Sequence, residues 1–154
     1  MVVTASSGCA RSGGRPDPAS AYPPADSLLR RYAWLVWLAV IFVFAVIPLA
    51  WFFHRQPSLD PSVVTTAGHV GEYAILTVLA AWAFLVRASV WRAAMGSALV
   101  AAVYGPLMEV VQSPLSYRAF DVRDIVADWV GVLAGVLAVS VVCWRAATKR
   151  VPRG

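Results

Sequence analysis

The chain has 154 residues, 60% of them hydrophobic and 14% charged, with a formal net charge of +5. A soluble domain carries about 45–50% apolar and about 25% charged residues, so this composition reads as a single-domain integral membrane protein. The positive charge does not mark a nucleic-acid binder, because the basic residues sit in short segments between apolar runs, as topology signals do. The two cysteines, Cys9 and Cys143, define no disulfide framework, and the eight residues before Cys9 hold no apolar segment that would make it a lipoprotein site.

Residues 1–27 are rich in Ser, Gly, Pro and Ala and show no apolar period. Such a segment buries too little surface to offset its ordering entropy, which predicts a disordered tail. Residues 28–146 read as an all-α domain of four transmembrane helices, followed by a basic tail over 147–154. The first span, 33–53, has no charged residue and is long enough to cross a hydrocarbon core of about 30 Å. Tyr32 and Trp34 at one end and Trp51, Phe52 and Phe53 at the other resemble interfacial belts, and Pro48 is expected to kink its outer third. A Pro- and Thr-containing loop over 54–68 leads to the second span, 69–86, which opens with His69, Glu72 and Tyr73. Arg87 and Arg92 bracket a tight turn. The third span, 93–111, is interrupted by Gly105-Pro106; the proline deprives the Ala102 carbonyl of its helical partner and is expected to bend the helix just before Glu109. The fourth span covers 125–144.

Four spans place both termini on one side. That side collects ten of the 13 basic residues and the other only Arg55, Arg118 and Arg123. This bias predicts both termini in the cytoplasm of a bacterial cell, with the chain in the cytoplasmic membrane. The acids fall the other way. Asp60 and Asp121 lie in outer loops, and Glu72, Glu109, Asp124 and Asp128 lie in the outer ends of three spans, with His69 and Gln112 beside them. Each is expected within about four residues, or roughly 6 Å, of the outer edge.

Helical spacing sorts these groups. Glu109 and Gln112 are i, i+3 and share a face, while Asp124, Asp128, Gly131 and Gly135 form one stripe down the fourth helix. Ionisable groups in a span cost about 2.5–3.5 kcal/mol each at the bilayer centre and less near its edges. Their convergence on one depth therefore reads as a functional site facing a wet cavity. The competing reading is an interhelical hydrogen-bond network, with Gly131 and Gly135 as a GxxxG packing pair. For Gln112 and Asp128 the two readings weigh equally. His69 with Glu72 at i+3 fits a proton relay, a metal ligand or a hydrogen-bonded helix start. No zinc spacing such as HExxH is present, and no metal or other cofactor is expected. Tyr73 reads as an interfacial anchor before a catalytic phenol. Arg118 in the outer connector either grips a phosphate or carboxylate or pairs with Asp121 or Asp124.

At these residues the chain resembles the VanZ-like family of small bacterial membrane proteins. The family pattern is a histidine followed four residues later by tyrosine, then Glu-x-x-Gln, an arginine, and Asp-x-x-x-Asn-x-x-Gly-x-x-x-Gly. Here it reads His69 and Tyr73, Glu109 and Gln112, Arg118, and then Asp124, Asp128, Gly131 and Gly135. Asp128 stands where asparagine is usual, and Thr66 where many members carry lysine. The resemblance implies a link to resistance to the glycopeptide teicoplanin, but not a reaction.

Three functions remain open on these residues. One is a non-enzymatic protein that binds a membrane lipid, a cell-wall precursor headgroup or a glycopeptide at the outer face. The second is an intramembrane enzyme acting on a lipid-linked substrate, with Glu109 or Asp124 as acid or base and His69 as proton partner. The third is a structural or partner-binding protein. Oligomeric state is not legible in the sequence.

Overall fold

Glycine decides how closely these helices approach, and apolar length decides that they are helices at all. The computed structural model describes residues 25–47, 61–117 and 120–149. The described residues form four α-helices: α1 (Ala25–Val46), α2 (Pro61–Phe84), α3 (Val90–Gln112) and α4 (Val122–Thr148). Each is long and apolar enough to cross a membrane.

The bundle is apolar outside, and its interior mixes polar and small residues with a few large apolar ones such as Leu76, Ile41 and Met108. Leu99, Val103, Leu107 and Val110 form an exposed stripe along α3, as do Val126, Val130, Leu133 and Leu137 along α4. The buried positions include Thr77, Ser97, Glu109, Gln112 and Asp128, with Ala80, Ala81, Ala93, Ala94 and Ala101. Lipid chains are as apolar as leucine, so large aliphatic side chains gain nothing by leaving them. Helices associate instead through close packing of small residues and hydrogen bonds.

The central helix is α2, which touches all three others and packs most extensively on α4; among the described residues α1 and α4 make no contact. Gly131 and Gly135 face α2 directly. A Cβ at Gly131 would run into the Val70 carbonyl oxygen and lie 3.1 Å from Tyr73 Cβ, and one at Gly135 would lie 2.7 Å from Thr77 Cβ and 2.8 Å from the Ala74 carbonyl oxygen. The expected GxxxG pair is therefore the α2–α4 contact.

Pro106 sits within a helix that continues on both sides of it. The Ala102 carbonyl that it leaves without a helical partner accepts the Trp129 indole N–H at 3.2 Å. Side chains likewise fasten α1. Trp37 Nε1 donates to the Glu72 carbonyl at 2.9 Å, Tyr104 Oη to Leu38 at 2.8 Å and Gln112 Nε2 to Ala45 at 3.1 Å. The Tyr117 hydroxyl donates to the Val46 carbonyl. Ala45 and Val46 belong to the last turn of α1, whose carbonyls have no intrahelical donor.

Several boundaries differ from the sequence reading. The second helix begins at Pro61 rather than at residue 69, so residues expected in a loop are helical. Pro61 suits a first helical position, where its missing N–H costs nothing. The first helix begins at Ala25, inside the stretch expected to be disordered, and Arg30 and Arg31 belong to it rather than preceding it. The third starts at Val90 rather than 93, and the fourth runs over 122–148 rather than 125–144. The remainder of the N-terminal tail, Pro48, and the aromatic belt of Trp51, Phe52 and Phe53 lie outside the described residues.

Glycines within one bundle should respond oppositely to the same methyl group. Gly131→Ala is expected to lower stability by about 1–3 kcal/mol through overpacking. A Cβ at Gly68 meets nothing within 4 Å, so Gly68→Ala is expected to stabilise through helix propensity by up to about 1 kcal/mol. Equilibrium unfolding of both variants in the same detergent checks the difference in sign.

Candidate functional site

The α2–α4 contact carries a polar cluster at the end of the bundle where α2 and α4 begin and α3 ends. His69 is two turns into α2, and its Nδ1 lies 2.8 Å from Asp128 Oδ1 on α4. Its other ring nitrogen, Nε2, lies 3.6 Å from Asp124 Oδ2, one turn earlier on α4. The first distance is a hydrogen bond and the second is beyond one. An ionised carboxylate can only accept, so with Asp128 ionised the bond holds the imidazole proton on Nδ1 and turns Nε2 toward Asp124.

Exposure divides the cluster. The Asp128 side chain is 2% exposed, whereas His69 and Asp124 are 16% and 20% exposed. Asp128 therefore braces the imidazole from within while Asp124 stands at the rim. The brace needs Gly105 on α3, because a Cβ there would lie 2.6 Å from Asp128 Oδ2. Gly105 and Glu109 are i, i+4, so one face of α3 supplies both the gap for Asp128 and a third carboxylate.

Glu109 is 1% exposed. Its Oε2 accepts the backbone N–H of Asp121 at 3.1 Å, and Asp121 in turn caps α4 by accepting from Arg123 N–H at 2.8 Å. A carboxylate at a helix N-terminus is favoured by the orphan amides and the helix dipole. Glu109 thus fixes the start of the helix that carries Asp124 and Asp128. It is also near enough for its charge to interact with His69, Asp124 and Asp128.

The other sequence candidates take different places. Tyr73 is not an interfacial anchor. It is buried at 1% exposure beside the cluster, with its ring centroid 6.5 Å from that of Tyr104. Gln112 is directed to Ala45 of α1 rather than to the carboxylates. Glu72 is half-buried, and its carbonyl receives the Trp37 indole N–H. Arg118 lies outside the described residues. His69 and Glu72 are not at the start of their helix: about 12 Å of α2 precedes His69 at 1.5 Å per residue. Among the described residues, no group of three or more His, Cys, Asp or Glu is arranged to hold a metal ion.

The sequence does not single out Gly105, Trp37, Tyr104 and Trp129 as part of this assembly. Gly105 had a usable signal, since it lies four residues before Glu109 on the same helical stripe. The two tryptophans and Tyr104 had none, because their partners are backbone carbonyls on other helices.

The His69–Asp128 bond should couple strongly for an interaction between membrane helices. A double-mutant cycle with His69→Ala and Asp128→Ala, read by unfolding in detergent, is expected to give about 1–2 kcal/mol, above the average near 0.6 kcal/mol for such contacts. Gly105→Ala is expected to displace the carboxylate, and the imidazole 15N chemical shifts of His69 should move with it.

Neither a curated protein nor a solved structure matches the chain significantly. The family model VanZ/LLP1 matches residues 32–143, an interval that takes in the whole polar cluster and the glycines that bring it together. The chain is thus a multi-pass membrane protein and belongs to the VanZ/LLP1 family.

Proposed function

We propose that the protein binds the polar headgroup of a lipid or cell-wall precursor at the extracytoplasmic face of the bacterial cytoplasmic membrane. Both termini then face the cytoplasm, as the distribution of basic residues favours. The contacts are His69 and Asp124 at the rim, with Asp128 and Glu109 holding them in place. The observation that carries this reading is the 3.6 Å separation of His69 Nε2 from Asp124 Oδ2, with both side chains part-exposed. The imidazole is oriented by a buried carboxylate, yet its outer edge and the Asp124 carboxylate are not closed on each other. A cluster of three carboxylates and one imidazole suits hydroxyl and amine donors, the groups that sugars and amino acids of a cell-wall precursor present. Arg118, six residues before Asp124, would add a phosphate or carboxylate contact. Such binding is also the route by which we link the protein to glycopeptide (teicoplanin) resistance.

One observation favours a second reading, an intramembrane enzyme acting on a lipid-linked substrate. A histidine hydrogen-bonded through Nδ1 to a carboxylate, with Nε2 directed outward, is oriented as a general base. In that reading Asp124 is the adjacent acid.

The test is teicoplanin susceptibility in a sensitive host expressing wild type or Asp124→Asn at matched membrane abundance. Wild type is expected to raise the inhibitory concentration several-fold and the variant to lose most of that protection. Equal protection by both would remove Asp124 from the function and favour a structural role. Protection by neither would end the link to resistance. Incubation of the purified protein with a lipid-linked precursor, followed by mass spectrometry, separates the readings. Retention of the unchanged lipid supports binding, and a mass change supports catalysis.

A further inference from the structure

The opposite end of the bundle holds a cavity lined by basic and aromatic residues. There α1, the end of α2, the turn that follows it and the start of α3 enclose a cavity of about 570 Å³. Arg31, Arg87 and Arg92 line it together with Trp34, Leu35 and Phe84. About 25 Å of α3 separates Arg92 from Glu109 at 1.5 Å per residue, so this cavity is distinct from the carboxylate cluster and independent of the function proposed for it.

The arginine beside them is already engaged. Arg30 Nε donates to the Trp82 carbonyl at 2.7 Å, and its guanidinium lies 5.6 Å from the Trp82 ring centroid. These contacts pin the start of α1 to the end of α2 and hold the cavity wall. Arg31, Arg87 and Arg92 are not held in this way. Among the described side chains, no carboxylate is seen paired with any of these three guanidinium groups. Three like charges at one cavity repel one another and favour an anionic occupant. Guanidinium groups match phosphate oxygens bidentately. The apolar and aromatic wall, at the end of membrane-spanning helices, matches the glycerol backbone and upper acyl chains of a lipid. The volume lies within the range of about 300–1,000 Å³ usual for ligand pockets, and basic pockets between transmembrane helices suit anionic headgroups.

We propose that this cavity binds an anionic phospholipid, with Arg31, Arg87 and Arg92 on its phosphodiester and Trp34, Leu35 and Phe84 against its apolar part. Native mass spectrometry of the purified full chain in detergent tests it, with dioleoylphosphatidylglycerol and dioleoylphosphatidylcholine as probes. Wild type is expected to retain the anionic lipid at least ten-fold more tightly than the zwitterionic one. The combined variant R31Q/R87Q/R92Q is expected to lose that preference. The control R145Q/K149Q removes two charges of α4 and its C-cap that do not line the cavity, and is expected to keep it. Ala88→Phe puts a phenyl ring into the cavity where the lipid would sit while leaving all three arginines, and is expected to weaken the preference as well. Circular dichroism confirms that each variant is folded. Equal loss in R145Q/K149Q, or full retention in Ala88→Phe, would reduce the effect to diffuse charge and overturn the proposal. Displacement of the lipid by millimolar inorganic phosphate would make the cavity a free-phosphate site and overturn it equally.

Discussion

The distance between α2 and α4 governs the geometry of the polar cluster. Where Gly131 and Gly135 face α2, a β-carbon at either position would meet main-chain oxygen or Cβ atoms of that helix. The missing side chains let the two backbones approach until the imidazole of His69 reaches Asp128 at 2.8 Å. Aqueous burial would supply its own driving force for such an approach, whereas helices in lipid depend on packing and hydrogen bonds. The packing and the hydrogen bond therefore support each other. Gly105 extends the arrangement to α3, where the same absence of a β-carbon makes room for the Asp128 carboxylate.

The second constraint is that hydrocarbon offers polar groups no alternative partner, so an unsatisfied one costs several kcal/mol. Among the described residues no buried side-chain nitrogen or oxygen lacks a partner. The irregularities of the helices are met from neighbouring helices. The carbonyl freed by Pro106 receives the Trp129 indole, and the final carbonyls of α1 receive Gln112 and Tyr117. This also explains how α1, which does not touch α4, is held to the bundle. Side chains of α3 and of the segment after it reach across to its backbone, and its own Trp37 reaches α2. The two ends of the bundle then differ in chemistry, with His69 and its carboxylates gathered at one and Arg31, Arg87 and Arg92 around a cavity at the other.

Much of this was legible in the residue pattern, and the errors have identifiable causes. The i, i+4, i+7, i+11 stripe from Asp124 to Gly135 correctly placed two carboxylates and two glycines on one face of one helix, because helical period is a local property. The sequence pattern places the start of α2 too late because Ser62, Thr65, Thr66 and Gly68 are poor helix formers by propensity; the length of a membrane-crossing helix overrides that preference. The sequence suggests an interfacial anchor at Tyr73 because tyrosine favours membrane edges. It is buried because it lies on the face of α2 toward Gly131. Gln112 shares a helical face with Glu109, yet the two side chains serve different neighbours, one the end of α1 and the other the start of α4.

The sequence by itself determined the number of spans, the membrane class, the family resemblance and the gathering of acids and His69 toward one end. Those properties follow from apolar length, charge distribution and helical period, all of which are read along a single chain. Only the tertiary structure decided that His69 is braced by Asp128 rather than Asp124, that Glu109 anchors the start of α4, and that three arginines share a cavity at the far end. Those outcomes depend on which faces meet and how closely. The approach is set by atoms on two or three helices at once, such as Gly131 against Val70 and Gly105 against Asp128, and no local pattern carries that information.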